Sequence, residues 1–508
     1  MPTPIPDRGD GNGATRWLFG DQLGPHFLDD HDGAVLLVES RRVFARRRFH
    51  RQKAHLVLSA IRHRARELEG RVVHVGTGTY REAVDAVDGR LQVVQPTSRA
   101  AVDLVRRIAD EREVERLPAR GFVTSREDFA AWARSRGERR LLMEDFYRDA
   151  RRRHGVLVEG DGEPVGGRWN FDRDNREPAP RGRVRLGVAE PWWPAEDDVD
   201  EQVRADLDRW EADGDVSFLG VDAPRRFAAT RAEALAVLDD FVVNRLPDFG
   251  PHEDVVLEGD DWMAHSLLSA PMNLGLLDPL EVVARAEQAF HDGDVPLASA
   301  EGFVRQVMGW RDYVWHLYWH LGDDYRHLNR LNQRRHLPDW FADLDAGATD
   351  ARCLSHALAG VRDNGWAHHI PRLMILGNYA LQRGWRPDEV TDWFHRAFVD
   401  GYDWVMVPNV VGMSQHADGG IMATKPYAAG GAYISRMTDH CGACPFDPKV
   451  RVGAKACPVT AGYWWFLERT KDRLAGNYRM AQPLKGLDRL RDLPQLVAQE
   501  EARGSDPP

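Results

Sequence analysis

An α/β domain with a mostly parallel, Rossmann-like sheet, followed by a larger all-helical domain, is the fold class this sequence predicts. Three observations lead to it. Short apolar runs alternate with helical stretches over the first 130 residues. Strand signals then fade, and helix-period segments dominate after Arg231. Tryptophan also shifts to the second half, with ten of the seventeen between Trp310 and Trp465. At 508 residues the chain has room for two to four domains, each with its own core.

Residues 1–14 are polar and rich in proline and glycine, which reads as a disordered leader and not a signal peptide. The α/β domain covers 15–130. Its expected strands are Trp17–Phe19, Ala34–Val38, Val72–Val75, Leu91–Val94 and Gly121–Thr124. Between them, His50–Leu68 and Ala100–Glu115 carry helical periodicity, stopped by Gly70 and Pro118. Strands joined by helical crossovers give a parallel sheet covered on both faces, with ligands beyond the carboxyl ends of the strands. That puts Gly20–Leu23 (GDQL) and Glu39 at the mouth of a pocket, although an acid after a strand also serves as an ordinary helix cap.

Residues 131–230 lose this regularity and read as an interdomain connection, with turn-rich segments at Pro164–Arg176 and Glu190–Pro194. The helical domain covers 231–485, with helices expected at Arg231–Arg245, Leu280–Phe290, Ala300–His320, Trp366–Arg383 and Pro387–Phe398. Residues 486–508 read as a polar, disordered tail. No apolar run approaches the roughly 18 residues that cross a bilayer, so a cytoplasmic protein without membrane contact is expected.

The net charge of −11 argues against indiscriminate nucleic-acid binding, but it leaves room for a local basic groove. Arg41–Lys53 holds seven basic residues and no acidic one, while acid concentrates in Ala195–Asp208. The basic stretch fits a solvated loop and helix start, a pocket rim or a DNA contact.

Cys353, Cys441, Cys444 and Cys457 are all the cysteines of the chain, and three of them follow C-x2-C-x12-C. A C-x2-C pair aims two sulfurs at one ion or cluster, and prolines after Cys444 and Cys457 fix the turns. On spacing alone a structural zinc and a four-iron cluster fit equally well. Two disulfides are the bland alternative, disfavoured because nothing points to secretion.

Four segments of the helical half occur in a telling order. They are SLLSAPMNLG (Ser266–Gly275), EGFVRQVMGWRDYVWHLYW (Glu301–Trp319), AHHIPRLMILGNYAL (Ala367–Leu381) and VDGYDWVMVPNVVGMSQ (Val399–Gln415). With GDQL and the cysteines, the chain resembles the photolyase–cryptochrome superfamily from about residue 15 to 485. More narrowly, it looks like the iron–sulfur bacterial cryptochromes and photolyases, whose characterised repair members are (6-4) photolyases. The resemblance tips the cysteines toward a [4Fe–4S] cluster. It implies an antenna-chromophore role for the α/β domain and bound FAD in the helical one.

By the same resemblance, Ser266, Leu267 and Leu268 lie beside the flavin phosphates with Arg305 as cationic partner, and Arg372, Asn378, Asp400 and Asn409 surround the ring. An Arg372–Asp400 pair is expected over the flavin. Asp21 and Glu39 match residues that hold 6,7-dimethyl-8-ribityllumazine. Gln306, Trp310 and Tyr427 are expected to face the lesion. Trp393 and Tyr433 match electron-relay positions; where relatives carry a further tryptophan, Ala342 stands here, and Trp340 is the neighbouring candidate.

His368 and His369 are the expected catalytic pair. A (6-4) lesion needs a proton as well as an electron, because a hydroxyl must return between bases, and histidine titrates near neutrality. Adjacent residues on a helix point roughly 100° apart, so the two have different roles. His369 is the expected donor and His368 its support. The reading is a light-driven (6-4) DNA photolyase acting, as a monomer, on UV-damaged DNA with a flipped-out base. The alternative is a cryptochrome-type blue-light photoreceptor with the same cofactors and no repair; a third is a non-photoactive DNA-binding protein whose cysteines hold zinc or a cluster.

Overall fold

Alternating side chains along short β-branched runs settle the first region. The computed structural model describes residues 13–508. Five parallel strands, β1 (Ala14–Leu18), β2 (Val35–Ser40), β3 (Val72–Thr77), β4 (Arg90–Val94) and β5 (Val114–Leu117), form one sheet in the order β3-β2-β1-β4-β5. Leu18, Val35 and Leu37 pack against Leu56, Ala60 and Ile61 of helix Arg51–Glu67. Their neighbours Trp17, Leu36 and Val38 face the other way, onto Val105 and Ile108 of helix Arg99–Ala109. The two-residue period of a strand therefore feeds two cores at once. Strand order reverses between β1 and β4, which opens the crevice where such sheets take ligands.

Several boundaries differ from expectation. Gly121–Thr124 is not the fifth strand: Val123 and Thr124 donate their N–H groups to the Asp312 carboxylate at 2.9 and 3.0 Å, and Val114–Leu117 pairs with β4 instead. The helix expected to reach Glu115 stops at Ala109, because Val114 and Glu115 are needed in that strand. Residues 1–12, most of the expected leader, lie outside the described residues. The tail from 486 is not disordered. Helix Leu493–Arg503 docks through Glu500, which accepts from buried Arg383 at 2.6 Å, and the Pro508 carbonyl accepts from Asp350 N–H at 2.9 Å.

The connection is also more regular than its composition suggests. Helix Asp198–Ala212, started by a capping box at Asp197, lays Val199, Val203 and Leu207 against Ala54 and Leu58 of helix Arg51–Glu67. Its acidic face meets the basic stretch: Arg51 pairs with Asp208 and Glu211, and Arg41 with Asp213 and Asp215. Arg47 and Arg48 pair with Asp392 and Asp343 of the helical half. Much of the basic stretch is thus an electrostatic seam between segments, with Arg42 and Arg46 left exposed.

After Arg231 the structure is helical. Two expected helices are not uniform. Ala300–His320 consists of Leu297–Val304, a π-helical segment Arg305–Arg311, and Asp312–His320. Trp366–Arg383 becomes helical only at His369, then passes through a π-helical segment Pro371–Gly377 into Asn378–Arg383. The two halves meet where Leu23 N–H donates to Leu274 O at 3.0 Å. Gly24 is needed there, since a Cβ would strike the Gly275 carbonyl.

Candidate functional site

All three π-helical segments among the described residues, Arg305–Arg311, Pro371–Gly377 and Pro408–Ser414, border one cavity of about 1260 Å³. A π-turn carries an extra residue and turns side chains off the helical register, which is why such turns collect at sites. Gly377 lets two of these segments touch, because a Cβ would collide with Ser414 Oγ.

A charge pair spans one wall. Arg372 grips Asp400 with two parallel hydrogen bonds, 2.8 and 3.0 Å, while its Nε donates to Ala367 O at 2.6 Å. Ser269 Oγ donates to the same carboxylate at 2.7 Å. The planar fork of arginine matches a carboxylate in this way and fixes both groups in direction. Ser266, Leu267 and Asn409 also line the cavity. Leu267 adopts φ +58°, a conformation leucine holds only where its surroundings impose it. Leu268 is fully buried behind the wall. Asn378 is also behind it, its amide tying down Ala429 through bonds of 2.9 and 3.1 Å.

Arg305 faces carboxylates. Glu301 is 3.3 Å away, and Glu253 and Asp172 are each 3.6 Å away. A guanidinium already matched by three carboxylates makes a weak phosphate ligand, which argues against its expected role. Burial pushes Glu253 up to about 7, with Arg305 opposing the shift. Gln306, 3.5 Å from Glu253, lies on this wall with Trp310 and Tyr427.

The histidines divide as their environments dictate. His369 Nε2 donates to Asp254 Oδ1 at 3.0 Å, its ring half exposed to the cavity. Burial acts to lower its pKa, but the bond and charge of Asp254 outweigh burial and hold the imidazole above its usual value. Burial likewise acts to raise Asp254, and His369 outweighs it and holds the carboxyl low. His368 is held well below the usual value, first by burial and then by the neighbouring positive groups. The two adjacent rings are therefore shifted in opposite directions. His265, stacked on His368 with centroids 4.2 Å apart, is also held low by burial.

Sequence reasoning did not find Glu253, Asp254 or His265. Their one available signal was His265 directly before Ser266; nothing in EDVV announces that Glu253 reaches Gln306 and Asp254 reaches His369, 53 and 115 residues away.

The cysteines form a second, smaller site. Cys353, Cys441, Cys444 and Cys457 border one small apolar pocket, and all four are free thiols, which removes the disulfide alternative. No three of their sulfurs lie within 4.8 Å of one another. The relay candidates separate. Tyr433 lines the large cavity. Trp393 is buried behind it and donates from Nε1 to Ala342 O at 3.2 Å. Trp340 reaches Trp393 through Phe341, whose ring centroid stands 5.6 Å from Trp340 and 4.7 Å from Trp393.

In the α/β half, Asp21 follows β1 and accepts from Thr97 beyond β4, so this bond bridges the sheet's switch-point crevice. Burial pushes Asp21 up to about 6. Glu39 lies on the other side of β1, both oxygens accepting from Arg62 at 2.9 Å and one also from His74 at 2.7 Å. Neither lines the large cavity.

Comparison with known proteins agrees with this arrangement. Residues 16–215 match the family model described as deoxyribodipyrimidine photo-lyase-related protein. The chain is 39% identical over 492 residues to a (6-4) photolyase of Agrobacterium fabrum, covering 92% of this chain and 94% of that protein. A 66-residue stretch is 43% identical to an uncharacterized protein, R855, of Acanthamoeba polyphaga mimivirus, covering 13% of this chain and 54% of that one. The fold matches a class III photolyase from Agrobacterium tumefaciens with a TM-score of 0.54 at 16% identity, over 99% of this chain and 98% of that one. It matches a Synechocystis cryptochrome equally, with a TM-score of 0.54 at 11% identity, over 96% and 98% of the two chains. Near full-length similarity at that identity, on the same two-part architecture, shows that the chain belongs to the photolyase–cryptochrome family.

Proposed function

We propose that this chain is a DNA photolyase that repairs (6-4) pyrimidine–pyrimidone lesions with light. The observation that carries the reading is the His369–Asp254 pair beside a neutral His368 in a cavity large enough for a dinucleotide and a base. The chain's fit to FAD rests on the Arg372–Asp400 clamp and on buried polar atoms left unpaired around the cavity, Arg311 Nε among them. Ser266, Leu267, Ser269, Arg372, Asp400 and Asn409 would hold the cofactor. When bound, reduced FAD supplies an electron on excitation and takes it back after the bases separate.

The protein's own part is to place the base and move the proton. Trp310 offers a flat face to an extruded base, and Gln306 a hydrogen-bonding edge. Asp254 holds the Nε2 proton of His369, which leaves the Nδ1 proton as the one to give. Tyr427 and the Glu253–Arg305 pair close the wall behind the lesion and exclude water.

Two further groups fit the chain. A tetrahedral zinc would bring thiolates to roughly 3.8 Å of one another, and no three of these sulfurs come within 4.8 Å of one another, which favours the wider [4Fe–4S] cluster. Cys353, Cys441, Cys444 and Cys457 are its ligands, with a structural role. Asp21 sits where an antenna lumazine would enter the sheet crevice, and Glu39, already engaged by Arg62 and His74, orients the far side.

The deciding experiment is repair of one defined (6-4) lesion in an oligonucleotide, in violet light and in darkness, after recording the protein's absorption spectrum. Light-dependent restoration is expected. Full flavin content with no repair of this lesion would overturn the proposal and move the chain to the photoreceptor class.

A further inference from the structure

The histidine wall holds more ligand-bearing nitrogens than proton transfer requires. One ring nitrogen from each of His265, His368 and His369 lies within 4.8 Å of the other two. His265 and His368 are 7% and 4% exposed, and the Nε2 atom of each is buried without a hydrogen-bond partner. A buried imidazole nitrogen is normally paired, so two unpaired ones side by side are unusual.

We propose that His265, His368 and His369 form a binding site for one borderline divalent cation of the zinc class. Each ligand is held from behind. The His265 carbonyl accepts from buried Arg245 at 2.6 Å, and its N–H donates to Trp262 O at 3.1 Å. Asp254 keeps one proton of His369 on Nε2, so a metal displaces the Nδ1 proton to solvent and takes that lone pair. A carboxylate behind a ligating imidazole is the usual outer partner of such sites. His368 Nδ1 receives only a long 3.4 Å contact from Ile370 N–H; a metal on Nε2 moves the ring proton to Nδ1 and gives that contact up. Tetrahedral nitrogens at about 2.0–2.1 Å from zinc stand roughly 3.3 Å apart, so the three, now within 4.8 Å of one another, draw together on binding. Three imidazoles leave the fourth position open to the cavity. An all-nitrogen set selects against magnesium and calcium, which take oxygen ligands.

The site stands whether or not the chain repairs DNA. Its consequence rests on the repair reading: a cation on His369 Nδ1 occupies the atom that would give the proton, so zinc inhibits repair.

The test uses the purified protein with its cofactors, stripped with chelator, dialysed against zinc and counted by elemental mass spectrometry. The wild type is expected to retain one zinc more than His265→Ala. Asp254→Asn is expected to retain it with about tenfold weaker affinity. His368→Gln, on a separate segment, gives the same reading should His265→Ala fail to accumulate. Equal zinc content in the wild type and these ligand variants, or none in any, overturns the site. One extra zinc with undiminished repair leaves the site standing and overturns the donor role of His369.

Discussion

The two halves of this chain treat buried charge in opposite ways. In the α/β half and its connection, charges close on one another. Buried Arg225 meets Asp200 at 2.9 Å and Glu233 at 2.9 Å, and Arg62 meets Glu39 and Asp206 at 2.9 and 2.6 Å. Around the large cavity, apart from the Arg372–Asp400 clamp and the His369–Asp254 pair, they do not close. Arg305 is outnumbered by carboxylates, Glu253 is pushed up to about 7, and His265 and His368 leave nitrogens unpaired. A closed network holds segments together, whereas an open one is stable only because something else completes it. Substitutions should therefore cost stability in the first region and activity in the second.

The largest expected effect is that of His369→Ala. Loss of a positioned proton donor removes about 10²–10⁴-fold of rate, with flavin content retained and melting temperature lowered only by the loss of the half-exposed pair with Asp254. Repair assays beside a thermal melt check this. Arg225→Ala is the opposite case. It strands the Asp200 carboxylate in the interior and should cost about 3–5 kcal/mol of stability, while repair per folded molecule stays at the wild-type level. If Arg225→Ala impairs turnover as His369→Ala does, the division between the halves fails.

Asp254→Asn sharpens the site itself. The folded pKa of His369 is raised, so the stability from its pair with Asp254 is complete below the unfolded imidazole value and is lost as pH rises through the folded one. Asp254 is held low, so its share is present above the unfolded carboxyl value and is lost as pH falls through the folded one. The protonated donor likewise disappears as pH rises. The asparagine variant should move the alkaline limb of the repair profile to lower pH, and activity at a fixed alkaline pH should fall roughly tenfold for every whole pH step the limb travels. An unmoved limb would mean that Asp254 does not set the donor's charge.

The difference between the halves also governs what could be read in advance. Sheet strands announce themselves by local alternation, and four of the five lay where expected. The fifth misled because Gly121–Thr124 is apolar for another reason, its amides capping Asp312. Helix Asp198–Ala212 was hidden because its acidity looks like solvated loop until the basic stretch is seen beside it. At the site, the motifs supplied Arg372, Asp400, His368 and His369. They could not supply Asp254 or His265, which reach the cavity from a loop with no periodicity of its own. The π-helical segments were equally hidden: one extra residue in a turn leaves an apolar pattern nearly unchanged.

The smallest predicted effect tests where DNA lies. Lys425, Arg436 and Arg479 line the cavity, and no described carboxylate is within ion-pairing distance of any of them. The basic stretch is richer in charge, but Arg41, Arg47, Arg48 and Arg51 are all paired with carboxylates. A phosphate contact releases a counterion only if the cation is not already neutralised. Arg479→Ala should therefore weaken binding of lesion DNA a few-fold and reduce the slope of log affinity against log salt by about 0.9. Arg48→Ala should leave that slope unchanged. The reverse pattern would place the duplex on the seam between the halves, and the open charges at the cavity would then have to answer to the cofactor alone.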